Sequence, residues 1–287
     1  MNRFGKIFIL FLICFLGYAT FVFAQNQQPK GKLFIIGGGH KPQSLVHQMI
    51  DESGITPTNG YGIVLPMASS VPDTSAYYGM LQFRQLGIKD VHAFNFADTS
   101  LVNIPQKLDS VRKATLIYIP GGVQSRFMKA VHDTPGLYQA IHEAYQNGAL
   151  IAGTSAGAAV MSKIMITGDQ KKYPEYTSTF YHIEHNNIIT AEGLGLITGV
   201  IVDQHFVKRA RNNRLLTAVM EYPDRVGIGI DESTAIVVNA NKVKVVGESQ
   251  VLVYRNQSGS SETKDGKLAA KNIHLGIYLA GESFQIR

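Results

Sequence analysis

The sequence predicts an α/β fold with a doubly wound, mostly parallel β-sheet and helices on both faces. Short, continuously apolar segments such as residues 33–36, 116–119 and 150–152 alternate with longer segments of helical periodicity. Strands of a parallel sheet that is covered on both faces are apolar along their whole length, and they are joined by helices. Glycines follow the first and fourth of these apolar segments, where the chain has to turn.

The predicted elements follow one another along the chain, and the C-terminal part is rich in strands. Strands are expected over residues 33–36, 63–65, 91–94, 116–119, 150–152, 200–202, 226–230, 235–238, 243–246, 250–254 and 273–279. Helices are expected over residues 45–49, 77–86, 137–145 and 158–161 and after residue 209. The polar segment from residue 256 to 267 is predicted to be an exposed hairpin loop.

Composition excludes several classes of protein. Of 287 residues, 45% are hydrophobic and 17% charged, which is typical of a globular domain and not of a disordered chain. The single cysteine, Cys14, cannot form an intramolecular disulfide, and no cluster of His and Cys has zinc-ligand spacing, so no metal site is predicted. The formal charge of +6 is not gathered into a basic patch with aromatic residues, so nucleic-acid binding is not indicated.

The N-terminus has the pattern of a secretory signal peptide. Arg3 and Lys6 precede an uncharged apolar run over residues 7–23, and the small residue Ala24 follows it. We therefore predict a signal peptide over residues 1–24, a linker over residues 25–31 and a single domain over residues 32–287. A retained membrane anchor is the alternative, because about 20 apolar residues can span a bilayer. The mature protein is expected outside the cytoplasm, in the periplasm or the medium, and without a membrane partner.

A nucleophilic serine is predicted at Ser155. Residues 153–157 read Gly-Thr-Ser-Ala-Gly, directly after an apolar strand and before a helix of small residues. In this context the G-x-S-x-G pattern is typical of a nucleophile elbow, in which a sharp turn exposes the serine hydroxyl. The amide of Ala156 can then stabilise an oxyanion. The alternative is that small residues only allow close packing of helix and sheet.

His205 is the candidate base. It follows the strand over residues 200–202, and the carboxyl ends of strands are where open α/β sheets place reactive groups. Asp203 lies on the same face of this strand, because side chains alternate along a strand. The alternative is a strand-end histidine that hydrogen-bonds a carbonyl.

Three arginines and a glycine turn complete the predicted site. Arg209, Arg211 and Arg214 begin a helix next to the candidate base, and guanidinium groups there can bind a substrate carboxylate. Gly122, after the fourth strand, can supply a second oxyanion amide, and Gln124 can hydrogen-bond a peptide group. An exposed helix face and an ordinary turn are the alternatives. The arrangement predicts a substrate that is acidic or ends in a carboxylate.

The long motifs resemble one known family. The strings LFIIGGGH, IPGGVQ, GTSAGAAVMS, IVDQHFVKRARNNRL and GIGIDESTAIVV resemble, in order and spacing, the serine-peptidase family that contains cyanophycinase and aspartyl dipeptidase (peptidase E). The resemblance covers about residues 32–240. It implies a fold like that of class I glutamine amidotransferases, a homodimer, no cofactor, Ser155 as nucleophile and His205 as base. It also implies a group of substrate-site residues: Gln124, Asp203, Gln204, Arg209, Arg211 and Arg214.

The acid that orients His205 is expected between nucleophile and base, as the resemblance implies. That segment contains three acidic residues in or near an altered loop. Glu175 is preferred by spacing and residue type, with Asp169 and Glu184 as alternatives.

The resemblance implies hydrolysis of cyanophycin, a poly-aspartate whose β-carboxyls carry arginine, to β-Asp-Arg dipeptides. Acidic residues such as Asp203 would then meet the guanidinium groups of this substrate. Two alternatives stay open: a secreted dipeptidase for Asp-X or isoaspartyl peptides, and a non-catalytic binding protein on the same scaffold.

Overall fold

The computed structural model describes residues 28–286, so the predicted signal peptide, residues 1–24, lies outside the described residues. The strands are β1 (Lys32–Ile36), β2 (Gly62–Val64), β3 (Val91–Ala93), β4 (Leu116–Ile119), β5 (Leu150–Thr154), β6 (Ile164–Gln170), β7 (Ile188–Glu192), β8 (Val200–Gln204), β9 (Val226–Ile230), β10 (Thr234–Asn239), β11 (Lys242–Gly247), β12 (Val251–Asn256), β13 (Glu262–Lys264), β14 (Lys267–Ala269), β15 (Ile273–Tyr278) and β16 (Ser283–Gln285). The helices are α1 (Gln43–Ser53), α2 (Pro72–Arg84), α3 (Ile104–Lys113), α4 (Gln124–Asp133), α5 (Leu137–Asn147), α6 (Ala156–Ala159) and α7 (Asn212–Glu221).

The central sheet confirms the predicted fold class. Its eight strands have the order β16-β11-β10-β1-β5-β4-β2-β3, and the five strands from β1 to β3 in this order are parallel. Antiparallel pairing of β10, β11 and β16 extends one side of the sheet. Three strands of the strand-rich C-terminal part thus belong to the central sheet.

Helices cover both faces of this sheet, as β1 demonstrates. Leu33 and Ile35 pack into one hydrophobic core and Phe34 and Ile36 into another. All four side chains are fully buried, which explains why the strand is apolar without alternation. None of the helices in the described part of the chain is long and apolar enough to cross a membrane.

A second sheet was not predicted. Its four strands have the order β15-β12-β9-β8, with β8 and β9 parallel. A third core, which includes Phe206, Leu215 and Tyr254, joins this sheet to α7. The strand that precedes the candidate base therefore lies in the second sheet, while the candidate nucleophile follows a strand of the first.

Several other elements also differ from the prediction. Helices α3 and α4 and strands β6, β7 and β16 were not predicted, and the segment predicted as a hairpin loop contains the short pair β13–β14. The helix after the serine, α6, is a single turn. Helix α7 begins at Asn212, so Arg209 and Arg211 lie in the preceding turn.

Candidate active site

Ser155 stands at a strained turn between β5 and α6. Its backbone has φ 55° and ψ −110°, a conformation that costs a residue with a side chain of the order of 1–3 kcal/mol. The flanking glycines make this turn possible. A Cβ on Gly153 would lie 2.2 Å from the carbonyl oxygen of Gly157, and a Cβ on Gly157 would lie 2.0 Å from the carbonyl oxygen of Ile119. The geometry is that of a nucleophile elbow.

The serine hydroxyl, a histidine and a carboxylate form a continuous hydrogen-bonded chain. Ser155 Oγ lies 2.8 Å from His205 Nε2, and His205 Nδ1 lies 2.6 Å from Glu232 Oε1. The carboxylate fixes the ring so that Nδ1 carries the proton and Nε2 can accept the proton of the serine. This is the arrangement of a serine hydrolase triad.

The end of β1 holds all three members of this chain. The carbonyls of Ile36, Gly37 and Gly38 accept hydrogen bonds from the amides of Ser155, His205 and Ser233, at 3.1, 2.7 and 3.0 Å. Each of these three donor residues has a positive φ, between 49° and 55°. Three consecutive carbonyls thus fix the backbone of the nucleophile, of the base and of the residue after Glu232.

The first glycine turn also contacts the side chains of the triad. A Cβ on Gly38 would lie 2.3 Å from Cε1 of His205, and a Cβ on Gly39 would lie 2.7 Å from the Glu232 side chain. Both glycines have a positive φ as well. The turn after β1 is therefore part of the site, and its glycines leave room for the imidazole and the carboxylate.

The carboxylate on His205 is Glu232, in place of the expected Glu175. Glu175 is exposed in the loop between β6 and β7, and it has no hydrogen bond to His205. Of the two alternatives, Glu184 instead binds Lys172, Lys267 and Tyr173, and the hydrogen bonds from Lys267 and Lys172 lower its pKa to about 2. The other alternative, Asp169, lines the cavity of Ser155 but has no hydrogen bond to His205. The segment between nucleophile and base therefore does not supply the acid.

A signal for Glu232 exists in the sequence. It follows the apolar run that becomes β9, and β9 lies parallel to β8 with Gln204 opposite Ile230. The carboxyl ends of adjacent parallel strands lie side by side, so an acid two residues after β9 comes close to a histidine one residue after β8. The sequence shows Asp231 and Glu232 directly after this apolar run, but it does not show the pairing of β8 with β9.

Burial keeps the base uncharged. His205 is buried, and this desolvation lowers its pKa below the ordinary 6.5, while the hydrogen bond to Glu232 acts in the opposite direction. The positive charges of Arg209 and Arg211 lower the pKa further. A neutral imidazole at pH 7 is the form that can accept a proton from Ser155.

The three arginines have different surroundings. Arg214 forms a two-pronged ion pair with Asp203, through Nε to Oδ2 at 2.8 Å and through Nη2 to Oδ1. Arg211 donates from Nη1 to the backbone and side-chain oxygens of Gln204. Arg209 is half-buried and makes no side-chain ion pair within the described chain. Asp203 and Gln204 are thus occupied by Arg214 and Arg211.

Arg211 keeps one donor without a partner. Its side chain is buried, and its Nε has no acceptor among the described residues. Burial, followed by the charge of Arg214, lowers the pKa of Arg211 to about 10, so it stays charged at neutral pH. Because Arg211 lines the cavity of Ser155, its positive charge is suited to an anionic ligand.

A cavity of about 280 Å³ is lined by the nucleophile and by the three arginines. Its lining includes the nucleophile, the glycine turn after β4, all three arginines and three residues of the β6 end: Gly122, Val123, Gln124, Ser125, Ser155, Thr167, Gly168, Asp169, Tyr176, Gln204, Arg209, Arg211 and Arg214. The volume is near the lower end of the range for small-molecule sites. A ligand in this cavity would contact Ser155 and the arginines together.

The glycine turn after β4 lies next to the nucleophile. Gly122 has φ 145°, and a Cβ there would lie 2.2 Å from the carbonyl oxygen of Ala68. The amides of Gly122 and Ala156 donate to no other described residue, so both are available to an oxyanion. Gln124 uses its amide nitrogen on the carbonyls of Ile166 and Thr167, at 2.9 and 2.7 Å, which leaves its side-chain oxygen for a ligand.

The described part of the chain shows no candidate metal centre. No group of three or more His, Cys, Asp or Glu side chains within residues 28–286 is arranged to hold an ion. The hydrogen-bonded chain from Ser155 to Glu232 contains a nucleophile, a base and an acid for acyl transfer to a serine.

Comparison with known proteins identifies the family of this chain. A match to peptidase family S51 covers residues 33–246. A cyanophycinase from Geminocystis herdmanii (strain PCC 6308) is 35% identical over 229 residues, which is 77% of this chain and 80% of the relative. A cyanophycinase from Trichormus variabilis (strain ATCC 29413 / PCC 7937) is 30% identical over 274 residues, which is 91% of this chain and 87% of the relative.

Solved structures agree on the fold. A peptidase from an acI-B1 Actinobacterium has a TM-score of 0.63 at 23% identity, with 89% of this chain and 96% of that chain covered. A putative peptidase E protein from Listeria monocytogenes EGD-e has a TM-score of 0.55 at 20% identity, covering 76% of this chain and 99% of that chain. The family match and the curated relatives show that this chain is a serine-type peptidase and belongs to peptidase family S51.

Proposed function

We propose that this protein is an exported cyanophycinase, an exopeptidase that releases β-Asp-Arg dipeptides from cyanophycin through an acyl-enzyme on Ser155. The observation that carries this proposal is the Ser155–His205–Glu232 chain at one end of a cavity with three arginines. The cyanophycinases at 30% and 35% identity support the choice of substrate. The positive charges of Arg209 and Arg211 in the cavity lining support an anionic ligand, because guanidinium groups bind carboxylates such as those of aspartate.

The proposed reaction has two acyl-transfer steps. His205 Nε2 takes the proton of Ser155 as Oγ attacks the carbonyl carbon of the scissile peptide bond, and the amides of Gly122 and Ala156 hold the oxyanion. His205 then gives its proton to the leaving amine as the C–N bond breaks. Water attacks the resulting ester, His205 takes a proton from that water, and the proton returns to Ser155 as the ester bond breaks. Glu232 stays ionised and stabilises the imidazolium in both steps.

The test is degradation of the polymer itself. Purified protein is incubated with cyanophycin granules, and soluble dipeptide is identified by mass spectrometry. We expect β-Asp-Arg from the wild type, no release by Ser155→Ala, and unchanged release by Ser100→Ala, an exposed serine outside the cavity. Absence of release by the wild type would contradict the proposal.

A dipeptidase for Asp-X or isoaspartyl peptides is the second candidate. The cavity favours this function, because a volume of about 280 Å³ suits a ligand of dipeptide size. The two functions are separated by assays of Asp-X dipeptides beside cyanophycin. A higher kcat/KM on Asp-X dipeptides than on the polymer would replace the first candidate with the second.

Export and dimerisation belong to the same proposal. Arg3 and Lys6, the apolar run over residues 7–23 and Ala24 support cleavage of a signal peptide after Ala24. The family resemblance supports a homodimer. N-terminal sequencing of secreted protein should begin at Gln25, and light scattering of the mature protein should give twice the monomer mass.

A further inference from the structure

A substrate built from β-Asp-Arg units carries cations as well as anions, so the site needs a partner for guanidinium groups. Asp203 was the expected partner. It is 1% exposed, however, and both its oxygens accept from Arg214, while Oδ1 also accepts from the amide of Gln204. A pair of this kind cannot release its carboxylate to a ligand without leaving Arg214 unpaired in the protein interior. Asp203 therefore stabilises the folded protein, and another group has to bind the guanidinium of the substrate.

Asp169 is the one carboxylate among the described residues that line the cavity of Ser155. It lies near the end of β6, where the pairing with β7 shifts register between Ile166 and Gln170. Irregular pairing of this kind bends a strand and changes the direction of its side chains. Gly168, with φ 101°, contributes to this bend. Asp169 is exposed, and its carboxylate has no ion pair or hydrogen bond within residues 28–286.

Tyr176 lines the same cavity and is 65% exposed. An exposed aromatic ring in the same cavity as a carboxylate suits a guanidinium group, which can stack on the ring and pair with the charge. The loop that carries Tyr176 is anchored, because Glu184 binds Lys172 and Tyr173 of this loop, at 3.1 and 3.2 Å, and Lys267 of the β13–β14 hairpin. The ring is thus presented by a loop that is tied at several points to its surroundings.

We propose that Asp169 and Tyr176 bind the guanidinium of a substrate arginine, while Arg209 and Arg211 bind substrate carboxylates. This inference rests on the proposed cyanophycinase activity and identifies the residues that select arginine in that substrate. A carboxylate and guanidinium groups in the lining of one cavity favour a ligand that carries charges of both signs over a ligand that carries only one.

The preference for arginine over an uncharged side chain in the substrate should be moderate. Asp169 is exposed to water, and a hydrogen-bonded ion pair at such a position contributes about tenfold in affinity at most. The effect should appear mainly in KM, because the guanidinium group lies away from the bond that breaks and is bound equally in substrate and transition state.

The experiment uses two synthetic trimers of the substrate unit, (β-Asp-Arg)3 and the same peptide with citrulline in place of arginine. Citrulline has nearly the shape of arginine but no charge. We expect the wild type to prefer the arginine trimer by about tenfold in kcat/KM. Asp169→Asn should remove this preference by raising KM for the arginine trimer, with the citrulline trimer unaffected. Tyr176→Leu should reduce the preference in the same direction.

Glu175→Gln is the matched control, because this exposed carboxylate is in the same loop as Tyr176 but outside the cavity lining. It should leave the preference unchanged. Equal rates of the wild type on both trimers, or an equal loss on both trimers in Asp169→Asn, would overturn the inference and leave the cyanophycinase proposal standing. If the wild type cleaves neither trimer and also releases nothing from cyanophycin granules, the proposed function and this inference fail together.

Discussion

At the residue scale, the chemistry depends on the charge of His205, which must be neutral to accept the proton of Ser155. Burial lowers its pKa, Glu232 raises it, and Arg209 and Arg211 lower it again. The arginines therefore have two effects in one place. They can bind an anionic substrate, and they keep the base in its active form down to a lower pH.

Substitution of Arg209 should move the acidic side of the pH profile. The kcat/KM of the wild type should fall as pH decreases through the lowered pKa of His205, below 6.5. Arg209→Gln removes a positive charge that lowers this pKa, so the pKa rises and the fall should begin at a higher pH. The profile of kcat/KM against pH measures this, with Lys208→Gln as the control at the adjacent exposed position. A shift toward lower pH would contradict the assignment of His205 as the base.

The acid of the triad gives a second residue-scale prediction. Glu232→Gln keeps the shape of the side chain but removes the charge that stabilises the imidazolium, so kcat should fall by about 10²–10⁴-fold. Glu175→Gln should have little effect, because Glu175 is exposed and far from contact with His205. Both are measured as kcat on soluble oligomers at pH 7.5. Loss of activity in Glu175→Gln with Glu232→Gln active would restore the pairing expected from the sequence.

At the element scale, the end of β1 determines the geometry of the site. The carbonyls of Ile36, Gly37 and Gly38 accept hydrogen bonds from the amides of Ser155, His205 and Ser233. The glycine turn after β1 also contacts the imidazole of His205 and the side chain of Glu232. The elbow at Ser155 could be predicted from sequence because all its determinants lie within five consecutive residues. The role of the turn after β1 could not, because its contacts are with residues about 170–195 positions later in the chain.

Gly38→Ala tests this role. The new Cβ would lie 2.3 Å from Cε1 of His205, so the ring has to move away from Ser155. A displacement of about 1 Å in a catalytic group can cost about 100-fold in rate, and we expect at least that loss in kcat. Gly54→Ala is a matched control, because Gly54 also has a positive φ but a Cβ there meets no atom within 4 Å. Equal activity of the two variants would mean that the turn does not position the base.

At the scale of the whole molecule, the active site joins two sheets. Ser155 follows a strand of the central sheet, and His205 and Glu232 follow parallel strands of the second. Apolar runs identified these strands because burial on both sides leaves a clear pattern. The same pattern says nothing about which sheet a strand joins, which depends on long-range packing such as that of Phe206 against Gly229. This is why Glu232 could not be identified from the sequence as the acid of the triad. Without the β8–β9 pairing, nothing in the sequence places Glu232 close to His205.

The pair of Asp203 and Arg214 should govern the stability of the whole molecule more than the binding of substrate. Both side chains are buried, and loss of one partner leaves an uncompensated charge in the interior, which costs about 3–5 kcal/mol. Arg214→Ala should therefore lower the melting temperature by roughly 10 °C, since each kcal/mol corresponds to about 2–4 °C in a domain of this size. Arg209→Ala, at a half-buried position without an ion pair in the described chain, should change it by less than about 2 °C. Thermal unfolding of both variants followed by circular dichroism makes the comparison. If Arg209→Ala were the more destabilised of the two, the separation of the three arginines into one structural and two ligand-facing groups would be wrong.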